Sequence, residues 1–455
     1  MYKLTEQQDA IINRVKEASE ITLGVKALAG CGKTSTLLAL IADLKPKKAF
    51  YTAFNKLIVK EAEEKFPSSV KCKTIHAFAL QYVKPKKSIE DFTYLCITEK
   101  LAYPVKRKIM DAMESFFLSP HTDMYEYFEA HLADDKLEEI AGRYVEGMVE
   151  GKIAPTFNFL LKYLHILLFN KQIEIKFDLV LVDECQDVTS VTLEIIKLIT
   201  APKKVLVGDP HQNIYSFMNT VNTFDRMPDL ETLELTKSFR CSPEIAARVE
   251  KFGKQFYGPS FHYEGTESKP GSTTAYISRT NAAIIKKIHE LHQENISYTL
   301  TKPISEIFAL PLALVTAASG KAVYHKKYKF LEKEYRSYSL SGQKSFFQYL
   351  SANVEDKEVT NAIKLLAAFN KKNINIFDVM SEAKTVKPNP NIYVVTAHSF
   401  KGMEVHNVYL DDDLESSLQE IMFKGGPDGS EDIQELNLYY VAMTRAKDKL
   451  VSKYN

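Results

Sequence analysis

The sequence predicts an α/β fold with two parallel-sheet cores, each interrupted by a mostly helical insertion. Short apolar runs bounded by turns alternate with helical patterns, which marks strand–helix–strand units and a parallel sheet. That alternation stops over residues 85–175 and again over 299–385, where amphipathic patterns rich in Tyr, Phe, Lys and Glu take over. A chain of 455 residues also exceeds what one core ordinarily holds.

Each element follows from its residues. Residues 23–29 are an apolar strand entering a Gly-rich turn, and 35–44 continue as a helix. Further short strands are expected at 48–52, 70–74, 179–182 and 205–207, the last two ending on acidic residues. Strands at 233–235, 274–278, 393–396 and 408–410 are assigned to the second core. The expected organisation is therefore 1–84 with 176–226 for the first core and 85–175 for its insertion. The second core takes 227–298 with 386–455, and its insertion 299–385. The Gly425 to Ser430 stretch reads as a loop, not a domain linker.

Composition narrows the class. Hydrophobic residues make up 45% and charged residues 26%, the balance of a soluble globular protein. No apolar run approaches the roughly 20 residues of a membrane span. Met1-Tyr2-Lys3-Leu4 leads straight into a polar helical pattern, so no signal peptide is expected. The expected compartment is the cytoplasm, or the nucleus for a eukaryotic source. A net charge of +1 excludes a basic shell for bulk capture of nucleic acid but leaves room for a local track. Five cysteines (Cys31, Cys72, Cys96, Cys185, Cys241) without a CxxC pair argue against a disulfide framework or a zinc site.

Two segments carry chemistry. Ala27-Leu28-Ala29-Gly30-Cys31-Gly32-Lys33-Thr34 follows a strand and opens a helix, the context a phosphate-binding loop requires. Backbone N–H groups from Gly30 to Thr34 would wrap phosphates, helped by the positive end of the helix. Lys33 would hold the β- and γ-phosphates and Thr34 a Mg2+ ion, so ATP and Mg2+ are the expected ligands. Ala27 stands where the usual pattern has its first glycine, and Cys31 reads as a tolerated small residue. Asp183 and Glu184 end the apolar strand pattern of residues 179–182. Asp183 is placed to contact Mg2+ through water, and Glu184 to orient and deprotonate the attacking water.

Here the sequence resembles a family. Asp183-Glu184-Cys185-Gln186-Asp187 is similar to the DExQD box of UvrD-like, superfamily 1 helicases. Gly208-Asp209-Pro210-His211-Gln212-Asn213-Ile214-Tyr215-Ser216-Phe217 resembles their GDxxQxIY motif, and Leu235-Thr236-Lys237-Ser238-Phe239-Arg240 their arginine-bearing motif. The His398 to Glu404 stretch is similar to H-x-x-KGxE, and Tyr440-Val441-Ala442-Met443-Thr444-Arg445-Ala446 to YVAxTRA. Leu4-Thr5 with Gln8 resembles the N-terminal glutamine motif. The nearest likeness is to the F-box DNA helicase group, on wording such as GDPHQxIY and Glu244-Ile245-Ala246 after SFR, although no F-box is expected. The likeness spans essentially the whole chain and implies two RecA-like domains with helical insertions.

The resemblance also implies roles. Gln8 would read adenine and Phe239 pack on the base. Gln212 would sense the γ-phosphate, Glu404 contact the ribose or nearby phosphate region, and Arg240 and Arg445 act as arginine fingers. An arginine finger is worth roughly 10³–10⁵ in rate, so fingers on the second lobe would tie hydrolysis to closure. Thr52, Asn55, Lys56, Thr74 and His76 fall where the family grips single-stranded DNA, as do His398 and Lys401 in the second lobe. Tyr215 and Phe217 would present rings to bases. Phe217-Met218 replaces the family's Trp-Arg, which puts one phosphate contact or inter-domain coupling in doubt.

Two basic stretches lie in the insertions. Lys84, Lys86 and Lys87 with Lys106, Arg107 and Lys108 read as a solvated face. Residues 321–336 also read first as a solvated face, with a duplex or strand contact as the alternative because Tyr324, Tyr328 and Tyr335 are interleaved with cations.

The implied activity is ATP-dependent translocation on single-stranded DNA, 3′→5′ by family likeness. It would unwind duplex or displace bound protein in repair, recombination or replication. Expected partners are single-stranded DNA, single-strand/duplex junctions and recombinase or replication proteins, with a monomer as the working unit. The competing readings are an ATP-gated DNA clamp without productive unwinding, and an interaction module built on an inactive motor fold. The presence of Lys33, Glu184, Gln212, Arg240 and Arg445 argues against both.

Overall fold

A reciprocal cap starts the chain's first helix, α1 (Glu6–Glu17): the Gln8 amide N–H donates to Thr5 Oγ1 and the Thr5 amide N–H to Gln8 Oε1. This satisfies two of the orphan donors that every helix start exposes. The computed structural model describes residues 3–53, 55–215, 219–354 and 356–454. They divide into two compact units, Met1–Thr236 and Lys237–Asn455.

In the first unit, β1 (Ile21–Ala27) leads through the turn into α2 (Lys33–Leu44). The strands β2 (Ala49–Thr52) and β3 (Val70–Cys72) alternate with α3 (Lys56–Lys65) and α4 (Ile75–Val83). The insertion follows as α5 (Tyr103–Leu118), α6 (Met124–Leu132), α7 (Asp135–Glu150) and α8 (Phe157–Phe169). The chain then returns through β4 (Leu179–Val182), the two-residue β5 (Val188–Thr189), α9 (Ser190–Leu198) and β6 (Lys203–Gly208). It closes with β7 (Thr220–Val221), α10 (Thr223–Arg226) and β8 (Glu231–Leu235).

Six strands form a sheet ordered β3-β2-β4-β6-β1-β8, every pairing parallel. The central β4, LVLV, is buried along its length, as a parallel strand covered on both faces must be. One apolar core runs from these strands into the insertion, joining Phe50 and Val180 to Phe116, Phe128 and Leu164. The insertion is thus packed onto the sheet, not appended to it.

One expectation needs correction. Residues 227–236 were assigned to the second core, yet β8 pairs in parallel with β1, matching Leu23 to Glu231 and Ala27 to Leu235. The Leu28 amide donates to the Leu235 carbonyl at 3.0 Å. The unit boundary falls after Thr236.

The second unit begins with α11 (Pro243–Phe256), β9 (Thr274–Ser278) and α12 (Asn281–Gln293). Its helical insertion is α13 (Ile304–Ile307), α14 (Ala309–Ala318), α15 (Phe330–Ser341), α16 (Phe346–Asn353), α17 (Lys357–Lys371) and α18 (Ile376–Thr385). Then come β10 (Ile392–Thr396), β11 (Val405–Leu410), α19 (Asp412–Phe423), α20 (Ser430–Met443) and β12 (Ala446–Val451). The strands form a four-stranded parallel sheet, β10-β9-β11-β12. The Gly425 to Ser430 loop joins α19 to α20 within this unit. No helix among the described residues is long and apolar enough to cross a membrane.

Candidate nucleotide and nucleic-acid site

In the first unit the phosphate-loop residues meet the acid pair at the C-terminal ends of β1 and β4. Gly30 and Gly32 adopt φ of 73° and 80°, left-handed values at which a Cβ is costly. Ala27 still lies in β1 and is buried, so it needs no such freedom. Cys31 is buried as well, its Sγ directed to the Ala29 carbonyl at 3.7 Å. The N-terminal turn of α2 is braced by the Ser35 and Thr36 hydroxyls, both donating to the Gly32 carbonyl.

Lys33 Nζ lies 2.9 Å from Glu184 Oε1. Burial is the largest influence on this ammonium and pulls its pKa down. The carboxylates of Glu184, Asp183 and Asp209 together outweigh burial and hold it above its ordinary range. Asp183 is buried against Glu184, and both burial and that neighbouring charge push its carboxyl up. Its oxygens accept from the Tyr51 hydroxyl and the Glu184 amide, each at 2.9 Å. Glu184 itself sits at φ 52°, a left-handed conformation that costs a non-glycine residue roughly 1–3 kcal/mol and clusters at functional sites.

The rest of the acid site is a hydrogen-bonded chain. Gln186 Nε2 donates to Glu184 Oε2 at 2.6 Å, and Gln186 Oε1 accepts from the Asp209 amide at 3.1 Å. Asp209 Oδ2 in turn accepts from Gln212 Nε2 at 2.7 Å. The candidate γ-phosphate sensor is thereby connected to the candidate base through the Gln186 side chain and through Asp209, which uses both its amide and its carboxylate. Gly208 makes this possible, because a Cβ there would stand 2.4 Å from Gln186 Oε1 and 2.8 Å from Cys185 Sγ. Tyr51, Gln186 and Asp209 had no role in the sequence reading. Gln186 and Asp209 lie inside the quoted motifs, so the signal was there. Tyr51 gave none, as an aromatic in an apolar strand.

Gln8 also reaches the loop helix, donating from Nε2 to Thr36 Oγ1 at 3.0 Å and Ser35 Oγ at 3.4 Å. It caps α1 and ties that helix to α2 at once. The oxygen donors Thr34 and Asp183 suit a hard divalent cation. A cation at the buried Asp183 carboxylate would offset both the burial and the Glu184 charge that raise its pKa. Among the described residues no group of three or more His, Cys, Asp or Glu forms a metal site on protein ligands alone.

In the second unit Arg240 and Arg445 differ sharply. Arg240 Nε donates to Glu404 Oε2 at 2.7 Å and its Nη1 to the Thr444 carbonyl at 3.1 Å. Its turn is held by Ser238, whose Oγ accepts from the Arg240 and Cys241 amides. Lys447 lies 2.5 Å from the other Glu404 oxygen. Burial alone would raise the Glu404 carboxyl, but Arg240 and Lys447 hold it below its usual range. Arg445 is 1% exposed and donates to the Val441 and Met403 carbonyls and to Thr444 Oγ1. Burial, then the Arg240 charge, lowers its guanidinium to about 10. Phe239 is 52% exposed.

The candidate strand-gripping residues line the C-terminal ends of adjacent strands. Thr52 ends β2, Asn55 caps α3 by accepting from the Leu57 amide, and Lys56 is exposed in that helix's first turn. Thr74, expected in a strand, instead caps α4 by accepting from the Ala77 amide, and His76 follows in the first turn. In the second unit His398 and Lys401 follow β10, and burial, then Arg279, lowers His398 to about 4. Tyr215 is half-buried. Phe217, Met218 and Ser216 lie outside the described residues. Arg279, for which the sequence raised no expectation, follows β9 and makes a bidentate pair with Glu435.

The first basic stretch serves the fold. Lys86, Lys87, Lys106 and Lys108 donate to the carbonyls of Glu150, Lys152, Ile97 and Leu132. In the second, Tyr324 is exposed, Tyr328 stacks on His325 and Tyr335 packs against Phe346.

Comparison with known proteins now decides the family. Residues 156–455 match the UvrD-like helicase C-terminal domain, and residues 7–218 match an AAA domain. The chain belongs to the UvrD-like helicase family. It is 26% identical to F-box DNA helicase 1 of Gallus gallus over 99% of this chain and 49% of that protein. It is 26% identical to F-box DNA helicase protein 1 of Schizosaccharomyces pombe over 98% of this chain and 57% of that protein. A mitochondrial ATP-dependent DNA helicase of Saccharomyces cerevisiae matches 55% of this chain at 26% identity, over 40% of its own length. The chain therefore spans about half the length of the curated relatives it matches. In this UvrD-like chain the two parallel sheets and helical insertions are the RecA-like domains of the family.

Proposed function

We propose that this UvrD-like protein hydrolyses ATP to move along single-stranded DNA, with 3′→5′ polarity, displacing either a complementary strand or bound protein. The observation that carries the reading is the Lys33–Glu184–Gln186–Asp209–Gln212 chain. It supports the reading because the cation proposed to bind phosphate, the carboxylate proposed as base and the amide proposed to sense phosphate are joined in one network. A structural ion pair would need only the first two.

Lys33 would exchange its bond to Glu184 for the β- and γ-phosphates, freeing the Glu184 carboxylate to orient and deprotonate water. Thr34 and Asp183 would hold Mg2+, which when bound offsets the charge on the phosphate oxygens. Gln8 and Phe239 are proposed to take the adenine, Glu404 the ribose side. Arg240 and Arg445 are proposed to stabilise charge developing on the γ-phosphate, with Arg445 also bracing the chain around Met403 and Val441. Thr52, Asn55, Lys56, Thr74, His76, Tyr215, Phe217, His398 and Lys401 form the proposed strand track.

Streptavidin displacement tests the motor reading. Oligonucleotides biotinylated at either end are incubated with protein and ATP. Faster release from the 5′ end is expected. Equal release at the ATP-free rate from both ends would leave the ATP-gated clamp as the better reading.

A further inference from the structure

Tyr51, the penultimate residue of β2, is 1% exposed and ends its side chain on an acid of the candidate site. Its hydroxyl donates to Asp183 Oδ2 at 2.9 Å, while the Asp183 amide donates to the carbonyl of the next residue, Thr52, at 2.9 Å. The tip of β2 therefore holds Asp183 twice, once through a side chain and once through the backbone. Toward β3, the Tyr51 carbonyl accepts from the Lys73 amide at 3.0 Å. Tyr51 thus lies between the roots of both segments expected to grip the strand, 52–56 and 74–76.

The ring is fixed along with its hydroxyl. Phe66, which caps the end of α3, meets the Tyr51 ring edge-on, with centroids 5.0 Å apart and planes at 87°. Phe66 is itself buried. A tyrosine in a buried strand ordinarily needs only an acceptor for its hydroxyl, and a neutral backbone carbonyl would serve. Here the acceptor is the buried carboxylate proposed to face Mg2+.

The two donors on that carboxylate reach different oxygens. The Glu184 amide takes Asp183 Oδ1 and the Tyr51 hydroxyl Oδ2. A carboxylate offers about four lone-pair sites, so both oxygens keep one for a cation or its bound water. A single donor would leave the group free to rotate about its Cβ–Cγ bond, whereas two on opposite oxygens set its plane. Hydrogen-bond partners of a metal-binding carboxylate orient it, and losing one typically costs roughly 10- to 100-fold in metal affinity.

We propose that Tyr51 is a positioning residue of the metal site, its hydroxyl setting the Asp183 carboxylate for the Mg2+ that accompanies ATP. The inference rests on the reading of Thr34 and Asp183 as the residues that hold Mg2+, and adds the group that orients one of them.

Tyr51→Phe keeps the ring against Phe66 and removes only the hydroxyl. A fluorescent, non-hydrolysable ATP analogue (mant-AMP-PNP) is titrated at increasing Mg2+, so the readout is the gain in affinity that Mg2+ brings rather than turnover. Tyr51→Phe is expected to bind the analogue without Mg2+ as the unaltered protein does, and to need roughly 10-fold more Mg2+ to reach the tight complex. Asp183→Asn should need at least as much. A lowered melting temperature in Tyr51→Phe with an unchanged Mg2+ requirement would show a structural role only and overturn this inference alone. Equal weakening of the analogue with and without Mg2+ would overturn it too. An unchanged Mg2+ requirement in Asp183→Asn would overturn the metal reading with it.

Discussion

Glu184 holds the Lys33 ammonium at 2.9 Å from a backbone conformation, φ 52°, that glutamate rarely adopts. The side chain that the proposed mechanism uses as base is thus also the present partner of the phosphate-binding lysine. Lys33→Ala and Glu184→Gln are both expected to abolish turnover, but to separate in binding. Lys33→Ala should weaken ATP affinity, and it leaves two carboxylates adjacent without their cation. Glu184→Gln should retain ATP tightly. Nucleotide titration of the two purified proteins checks this, and turnover in Glu184→Gln equal to the unaltered protein would remove Glu184 from the role of base.

Gly208 is expected to tolerate no side chain. The Cβ of Gly208→Ala would press on Gln186 and Cys185, costing about 1–3 kcal/mol if the packing cannot relax. Because Gln186 links Glu184 to Asp209, the ATPase rate should fall further than the loss of folded protein explains. Melting temperature and rate measured on the same preparation check it. A destabilised protein with full specific activity would show that the Gln186 bridge is dispensable.

Arg240 and Arg445 should respond differently to alanine. Arg240→Ala is expected to cut ATPase by orders of magnitude with little change in ADP affinity, since its proposed target is charge on the γ-phosphate. Arg445→Ala should add a clear loss of stability, because the Val441 and Met403 carbonyls each lose a donor and a buried side chain is removed. Thermal melts with ADP titrations separate the two, and normal hydrolysis by either variant would exclude it as a finger.

Much of this site was legible because its chemistry demands contiguous residues. A phosphate loop must follow a strand and open a helix, so residues 27–34 announced themselves, as did Asp183-Glu184 after LVLV. Sheet membership is different. The apolar pattern of 233–235 says strand, but nothing local says which sheet, and it pairs with β1. β12 escaped notice because AKDKLV sets three consecutive charged residues between its apolar ends, and the strand ends the sheet order. Arg445 reads as a finger from its motif, while its embrace of backbone carbonyls appears only once α20 meets the turn near Met403. Long-range partners of this kind, like Tyr51 on Asp183, leave no mark on local sequence.

Acid should destabilise the fold through its buried histidines. Burial holds His165 and His398 at about 4 and His211 at about 3, below the ordinary value near 6.5. Each therefore binds its proton less readily folded than unfolded. The stability they contribute is present above about pH 6.5 and is lost as pH falls through that value toward 4. His165→Leu removes one such group, and its unfolding free energy should fall less steeply with acid, by up to about 1.4 kcal/mol per pH unit. Chemical denaturation between pH 7 and 5 checks it, and identical slopes would show that His165 is not buried neutral.

The central claim is that ATP hydrolysis is coupled to a single strand of DNA. Steady-state ATPase measured with and without oligo-dT, with Lys33→Ala as the blank, tests it most directly. Strong stimulation that saturates with oligo-dT, absent in Lys33→Ala, is the predicted result. Hydrolysis at the same rate with and without saturating oligo-dT would contradict the account.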